Sequence, residues 1–152
     1  PKPLFCKTIT NCFFIHHWNR IYGPRGFLQY QCVVTKEPRA ALHALLTRIA
    51  RSGQASFLSV LKEFGELQSP GMLSFPRKGY TLALDFPNLG QSTLSLLNDL
   101  DAIVREAEGA IYPAKDDRMS QDMYRLGYPA MDKFSKYIDP KFSSSFWRRV
   151  QP

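Results

Sequence analysis

Long apolar runs are missing from this 152-residue sequence. The longest falls far short of the ~20 residues a bilayer span needs, so no transmembrane helix is expected. No secretory signal peptide is recognisable in these residues, and residue 1 is Pro rather than Met, which fits a processed chain or a piece of a longer protein. Cysteine is scarce. Cys6, Cys12 and Cys32 are an odd number, in no zinc-ligand spacing and no disulfide framework, which favours a reducing compartment. A nucleophile elbow, a phosphate-cradling glycine-rich loop and a long block of basic residues are also missing.

What is present belongs to a folded protein. A hydrophobic share of 44% and 13% aromatics argue against disorder, and the length suits one domain or a small domain with an extension. Twenty Lys and Arg face thirteen Asp and Glu, a net charge of +7. That excess is open to two readings: an anionic partner, or a solvated basic surface.

The most regular stretch is Gly26-Phe27-Leu28-Gln29-Tyr30-Gln31-Cys32-Val33-Val34. Its period-two alternation predicts a strand with Leu28, Tyr30, Cys32 and Val34 on a core face. Phe27, Gln29, Gln31 and Val33 then share the other. Before it, residues 18–26 read as a loop with a turn at Gly23-Pro24, and His16-His17 reads as a loop pair rather than a metal site, because no third ligand is near.

After it, Thr35 is placed to cap a helix with Pro38 in its first turn and Leu42, Leu45, Leu46 and Ile49 at helical spacing, ended by Ser52-Gly53. Residues 56–64 alternate again, but both faces are half apolar. A Gly-, Pro- and Ser-rich loop covers 65–79. Residues 80–86 form a clear strand, Tyr80, Leu82, Leu84 and Phe86 opposite Thr81, Ala83 and Asp85. Ser92 or Thr93 is expected to cap a second helix carrying Leu94, Leu97, Leu100, Val104 and Ala107, before a short strand at 110–112. Strand, helix, strand, strand, helix, strand is the ferredoxin-like split βαβ arrangement, an α+β antiparallel sheet with its helices on one face and its first and third strands central.

Residues 113–152 lie outside that unit. Asp116-Asp117 reads as an acidic turn rather than a metal pair. Ser120 is placed to cap a short helix to about Arg125, a second runs to about Tyr137, and residues 143–150 hold a last helical turn or two. Met123, Tyr124, Tyr128, Phe134, Tyr137, Phe142, Phe146 and Trp147 need a surface to lie against, either the sheet or a partner.

The open sheet face would carry Gln29, Gln31, Lys62, Thr81 and Asp85. A lysine beside Val60 and Phe64 suits a phosphate or a developing negative charge, or it snorkels to solvent. The same fold hosts RNA-recognition modules, and Lys78-Gly79-Tyr80 echoes their third-strand signature. Those modules put stacking aromatics on the open face, whereas Tyr80 and Phe86 share the apolar one, so no nucleic-acid partner is expected. A ferredoxin-like RNA- or ligand-binding module without catalysis is the alternative reading.

Several motifs, in order, carry a resemblance: Trp18-Asn19-Arg20-Ile21-Tyr22-Gly23-Pro24, Gly26-Phe27-Leu28-Gln29-Tyr30-Gln31, Ser56-Phe57-Leu58-Ser59-Val60-Leu61-Lys62-Glu63-Phe64-Gly65, Leu73-Ser74-Phe75-Pro76 and Tyr112-Pro113-Ala114-Lys115-Asp116. Together they resemble the C-terminal part of the FAD-linked oxidases of the vanillyl-alcohol oxidase type, over roughly residues 18–150. The resemblance implies an FAD-dependent oxidoreductase acting on a sugar hydroxyl, a polyprenyl-phosphate-linked ribose whose 2′-hydroxyl becomes a ketone in the first half of an epimerisation. Residues 1–112 would be part of its substrate domain. Residues 113–152 would pack on an N-terminal FAD-binding domain outside this sequence, without which the chain would be inactive.

By motif, Gln29, Gln31, Val60, Lys62, Phe64, Thr81 and Ala83 would bind substrate. Lys115 would be catalytic and, with Tyr112, would reach the flavin; no metal is implied. A lysine there would stabilise charge on the reduced ring. A short-chain reductase would act next, and the location would be cytoplasmic or peripheral at the inner membrane. Ala83 and Thr81 depart from the pattern, which has cysteine and asparagine there, and the segment before Trp18 is shorter than usual.

Overall fold

A computed structural model describes residues 22–151. His16-His17, Cys6, Cys12 and the motif residues before Tyr22 lie outside them. Strands β1 (Phe27–Val34), β2 (Ser59–Phe64), β3 (Gly79–Pro87) and β4 (Ala110–Ile111) alternate with helices α1 (Pro38–Ser52) and α2 (Gln91–Glu106). The sheet is antiparallel in the order β2-β3-β1-β4, so the first and third strands are central, as the ferredoxin-like pattern requires.

The helix-covered face forms as the alternation predicts. Tyr30, Cys32, Val34, Leu82, Leu84 and Phe86 are buried beneath Leu45 of α1 and Leu96, Leu97, Leu100 and Val104 of α2. Each such aliphatic or aromatic side chain contributes about 1.5–3 kcal/mol by leaving water. Two glycines set how closely the strands approach: a Cβ on Gly79 would lie 2.1 Å from the Val34 carbonyl oxygen, and one on Gly109 2.3 Å from that of Val33. No larger residue fits at either place.

One polar knot is embedded on this side. Tyr30 Oη donates to Asp101 Oδ1 at 3.1 Å, and the Arg118 guanidinium donates to both Asp101 oxygens at 2.7 and 2.9 Å. Two-point pairing gives a buried charge the compensation it needs. Burial pushes the Cys32 thiol up from an ordinary 9.0 to about 12, and holds the Tyr30 phenol well above its ordinary value.

Several local expectations are corrected. Helix α1 is capped by Glu37 in the left-handed region, not by Thr35, whose hydroxyl lies against the Ala107 and Glu108 carbonyls. Gly90, not Ser92 or Thr93, caps α2; Thr93 is buried in the first turn and donates to the Pro87 carbonyl at 2.9 Å. Gly53 closes α1 at φ 69°, as a left-handed C-cap should. The second strand begins at Ser59 rather than Ser56, because Ser56 turns in and accepts the Asp85 N–H at 2.9 Å.

After β4 come a 3₁₀ turn (Pro113–Lys115) and helices α3 (Gln121–Gly127), α4 (Met131–Ser135) and α5 (Ser145–Val150). Ser120 and Ser144 cap α3 and α5 through Met123 N and Trp147 N. Met119, Met123, Tyr124, Tyr128, Met131 and Val150 join the same core as the sheet, and Tyr128 Oη donates to the Ile111 carbonyl at 2.8 Å. Much of the aromatic tail therefore lies against this chain's own sheet edge. Tyr137 and Phe142 stay 71% and 76% exposed, free to meet something else.

Candidate active site

The strand register builds the second face residue by residue. Across β1 and β3, Gln29 stands opposite Asp85, Gln31 opposite Ala83 and Val33 opposite Thr81. Across β2 and β3, Val60 meets Ala83, Lys62 meets Thr81 and Phe64 meets Gly79. Paired residues share a face, so β2 contributes Val60, Lys62 and Phe64 to it. That resolves the strand whose two faces looked alike.

The face is not uniformly open. Val33, Thr81 and Asp85 are buried. Two aromatic clusters cover its ends. At one end, Phe75 from the loop between β2 and β3 packs against Tyr112 at 4.8 Å and Phe64 at 6.2 Å between ring centres. At the other, Tyr22 stacks on Phe27 at 4.1 Å and meets the edge of Phe57 at 5.3 Å.

Between them lies a cleft of about 90 Å³ lined by Gln31, Leu58, Val60, Lys62, Thr81, Ala83, Asp85 and Lys115. Lys115 arrives because Tyr112 N donates to the Gln31 carbonyl at 2.8 Å, extending the β4 pairing by one residue, before Pro113 turns the chain over the face. The structure thus gathers Gln31, Val60, Lys62, Thr81, Ala83 and Lys115 around one space. Gln29 is bonded to the cleft's Asp85, and Phe64 and Tyr112 belong to the aromatic end wall.

Hydrogen bonds orient the amides. Gln31 Nε2 donates to Thr81 Oγ1 at 3.2 Å, and Gln29 Nε2 donates to Asp85 Oδ1 at 3.1 Å. With its amide nitrogen so engaged, each side chain keeps a carbonyl oxygen to accept from a hydroxyl. Tyr22 Oη donates to Asp85 Oδ2 at 3.2 Å; burial first, then the Asp85 charge and this bond, raise the Tyr22 phenol above its ordinary value. Asp85 is therefore a buried carboxylate held by two neutral donors. Lys62 and Lys115 line the same cleft, and among the described residues neither forms an ion pair. Two cations, one carboxylate and one amide line the space, with the second amide bonded to the carboxylate, where a polar, hydroxylated or anionic molecule would be held.

Asp85, Leu58 and Tyr22 are residues that the motifs did not assign to the site. The alternation put Asp85 on this face. Its burial depends on Tyr22 and Gln29, 63 and 56 residues away in sequence, and no local signal reports that. Asp116 is no metal ligand here: its Oδ2 accepts from Arg118 N, Met119 N and Arg149. No helix among the described residues is long and apolar enough to cross a membrane.

No family model matches the chain. Over 140 residues, 88% of its length, it is 39% identical to the decaprenylphosphoryl-beta-D-ribose oxidase of Mycolicibacterium smegmatis, covering 30% of that protein. Over 130 residues it is 35% identical to a Streptomyces coelicolor protein described as an uncharacterized protein in the mprA 5′ region, covering 35% of it. The chain spans about a third of the length of these curated relatives. It is, over most of its own length, a relative of part of an oxidase, in line with the FAD-linked oxidase resemblance that its motifs carry.

Proposed function

We propose that this chain is the substrate-facing portion of an FAD-dependent oxidoreductase that oxidises a sugar hydroxyl, with a polyprenyl-phosphate-linked ribose as substrate and its 2′-hydroxyl becoming a ketone. One observation carries the reading: Lys62, Lys115, Gln31 and Asp85 converge on one cleft of a sheet face that is otherwise closed at both ends.

The donor set fits a flavin. Lys115, outside any ion pair among the described residues and lining the cleft with apolar Val60 and Leu58, suits a flat ring that gains negative charge. Bound flavin would supply the acceptor for the hydride that leaves the sugar carbon. The chain's own part is to bind and orient. Gln29 and Gln31 would accept from sugar hydroxyls through their side-chain carbonyls. Lys62, at the exposed edge strand, would meet the phosphate, where a flexible ammonium works as a point charge. Lys115 would bring a fixed positive charge to the reacting end. Asp85, held by Tyr22 and Gln29, would accept from a hydroxyl donor.

The remaining wall of the cleft would come from a flavin-binding domain, with the exposed Tyr137 and Phe142 as candidates for the contact. A short-chain reductase would then act on the ketone. The test is to isolate the protein together with all the sequence that flanks this chain in its gene and to record its absorption spectrum. A yellow protein with flavin released on denaturation is expected; a colourless one would end this reading.

A further inference from the structure

The turn that carries Lys115 is too short to hold itself. It is a three-residue 3₁₀ turn, and its closing bonds, Lys115 N to the Tyr112 carbonyl and Asp116 N to the Pro113 carbonyl, are 3.2 and 3.3 Å long. Something else must fix the lysine over the face. The residues that follow it show what does.

Asp116 has only 3% of its side chain exposed. Its Oδ2 accepts from Arg118 N at 3.1 Å and Met119 N at 2.6 Å, folding the chain into a tight acidic turn. Arg149, from α5 at the far end of the sequence, then clasps that turn from outside. Its Nη2 donates to Asp116 Oδ2 at 3.0 Å, its Nη1 to the Asp117 carbonyl at 2.9 Å and its Nε to the Met119 carbonyl at 3.1 Å. One guanidinium thus reaches three of the four residues after Lys115, as a rigid planar fork of donors can and a lysine cannot. Arg149 is itself seated by the buried Val150 beside it and by the Phe146 ring, 5.5 Å from its guanidinium carbon. A second arginine, Arg118, already ties the same segment to the core through Asp101. The Arg149 side chain is 33% exposed, so the tie between this segment and the core does not rest on it alone.

We propose that Arg149 is a positioning residue for Lys115: by clasping residues 116–119 it fixes the turn from which the lysine reaches the cleft, so that the last helix of the chain is part of the site. This rests on the role given to Lys115 above. Asp116, one residue from that lysine, is a buried carboxylate whose charge Arg149 helps to balance; without the clasp the turn loosens and the Lys115 ammonium gains a competing partner.

The test uses the flavin-loaded protein with its flanking sequence and compares Arg149→Ala, Lys115→Ala and the double variant. Arg149→Ala should lower the single-turnover rate of flavin reduction at least tenfold with KM within about twofold, and should add nothing to Lys115→Ala. Independently of activity, amide hydrogen exchange in residues 112–119 should speed up at least tenfold while β1 and β3 stay protected. Millimolar guanidinium should restore part of the Arg149→Ala rate where equal sodium chloride does not. Unchanged exchange and rate in Arg149→Ala, or an effect that simply multiplies with that of Lys115→Ala, would overturn the inference. If Lys115→Ala reduces flavin normally, the role of Lys115 fails first and this inference with it. If Arg149→Ala does not fold, Arg149→Lys is measured instead; it should fold with exchange in 112–119 still raised, and its failure to fold would make Arg149 a folding residue and overturn the proposal.

Discussion

The two faces of this sheet solve the same burial problem differently. Under the helices, six alternating side chains of β1 and β3 meet a continuous apolar layer, and the one polar knot there, Tyr30, Asp101 and Arg118, is tied at several points. On the other face two aromatic clusters close the ends and leave a polar strip between. The first face is built for stability. The second keeps Asp85 and Thr81 buried yet bonded to neutral donors, with two lysines beside them, an arrangement that a stability-seeking sheet would replace with apolar residues.

The contrast predicts where substitutions will hurt. Phe86→Ala, at a fully buried position on the helix side, should destabilise this chain by about 3–5 kcal/mol, read from urea denaturation. A loss of well under a kilocalorie would mean that this face is not the core. Asp101→Ala removes the partner of a mostly buried guanidinium and should cost roughly 3 kcal/mol, near the low end for a broken buried pair.

Burial should also set the alkaline limit. Cys32, Tyr30 and Tyr128 all have folded-state values above their ordinary ones because burial disfavours the charged form. A raised value contributes stability that is fully present below the unfolded value and is lost as pH rises through the folded one. For Cys32 that window runs from 9.0 to about 12. Absorbance at 295 nm should then show a group of phenols that ionise only with unfolding, and Cys32 should resist alkylation until the same point. Free alkylation of Cys32 in the folded chain at neutral pH would contradict this. The smallest effect belongs to the cleft: Lys62→Ala, exposed on an edge strand, should leave the denaturation midpoint unchanged within error. A clear loss of stability there would show that the polar strip is structural.

Much of this was legible in the alternation of β1 and β3. Their period-two pattern assigned Tyr30, Cys32, Leu82 and Leu84 to the core, and the element order then named the sheet topology. Gln31, Val60, Lys62, Thr81, Ala83 and Lys115, picked out by motif, do meet around one cleft. What escaped is what depends on distant partners or on backbone angles. The caps at Glu37 and Gly90 are conformations rather than residue preferences. The face of residues 59–64 was harder to choose, because an edge strand half exposed on both sides has no clean pattern; the register puts Lys62 on the open face, where it was placed. The aromatics of the last forty residues were ambiguous because their partners, Ile111 and the sheet edge, are brought close only by the fold.

The central claim is that the polar face is a working surface with Lys115 as its charged centre. The most direct measurement is the rate of flavin reduction by substrate in the protein with its flanking sequence, comparing Lys115→Ala with the unaltered enzyme. Losing one fixed charge at a reacting centre typically costs about 10²–10³ in rate, and a loss of that size is expected, with flavin content and unfolding midpoint unchanged. Reduction at an unaltered rate would contradict the account.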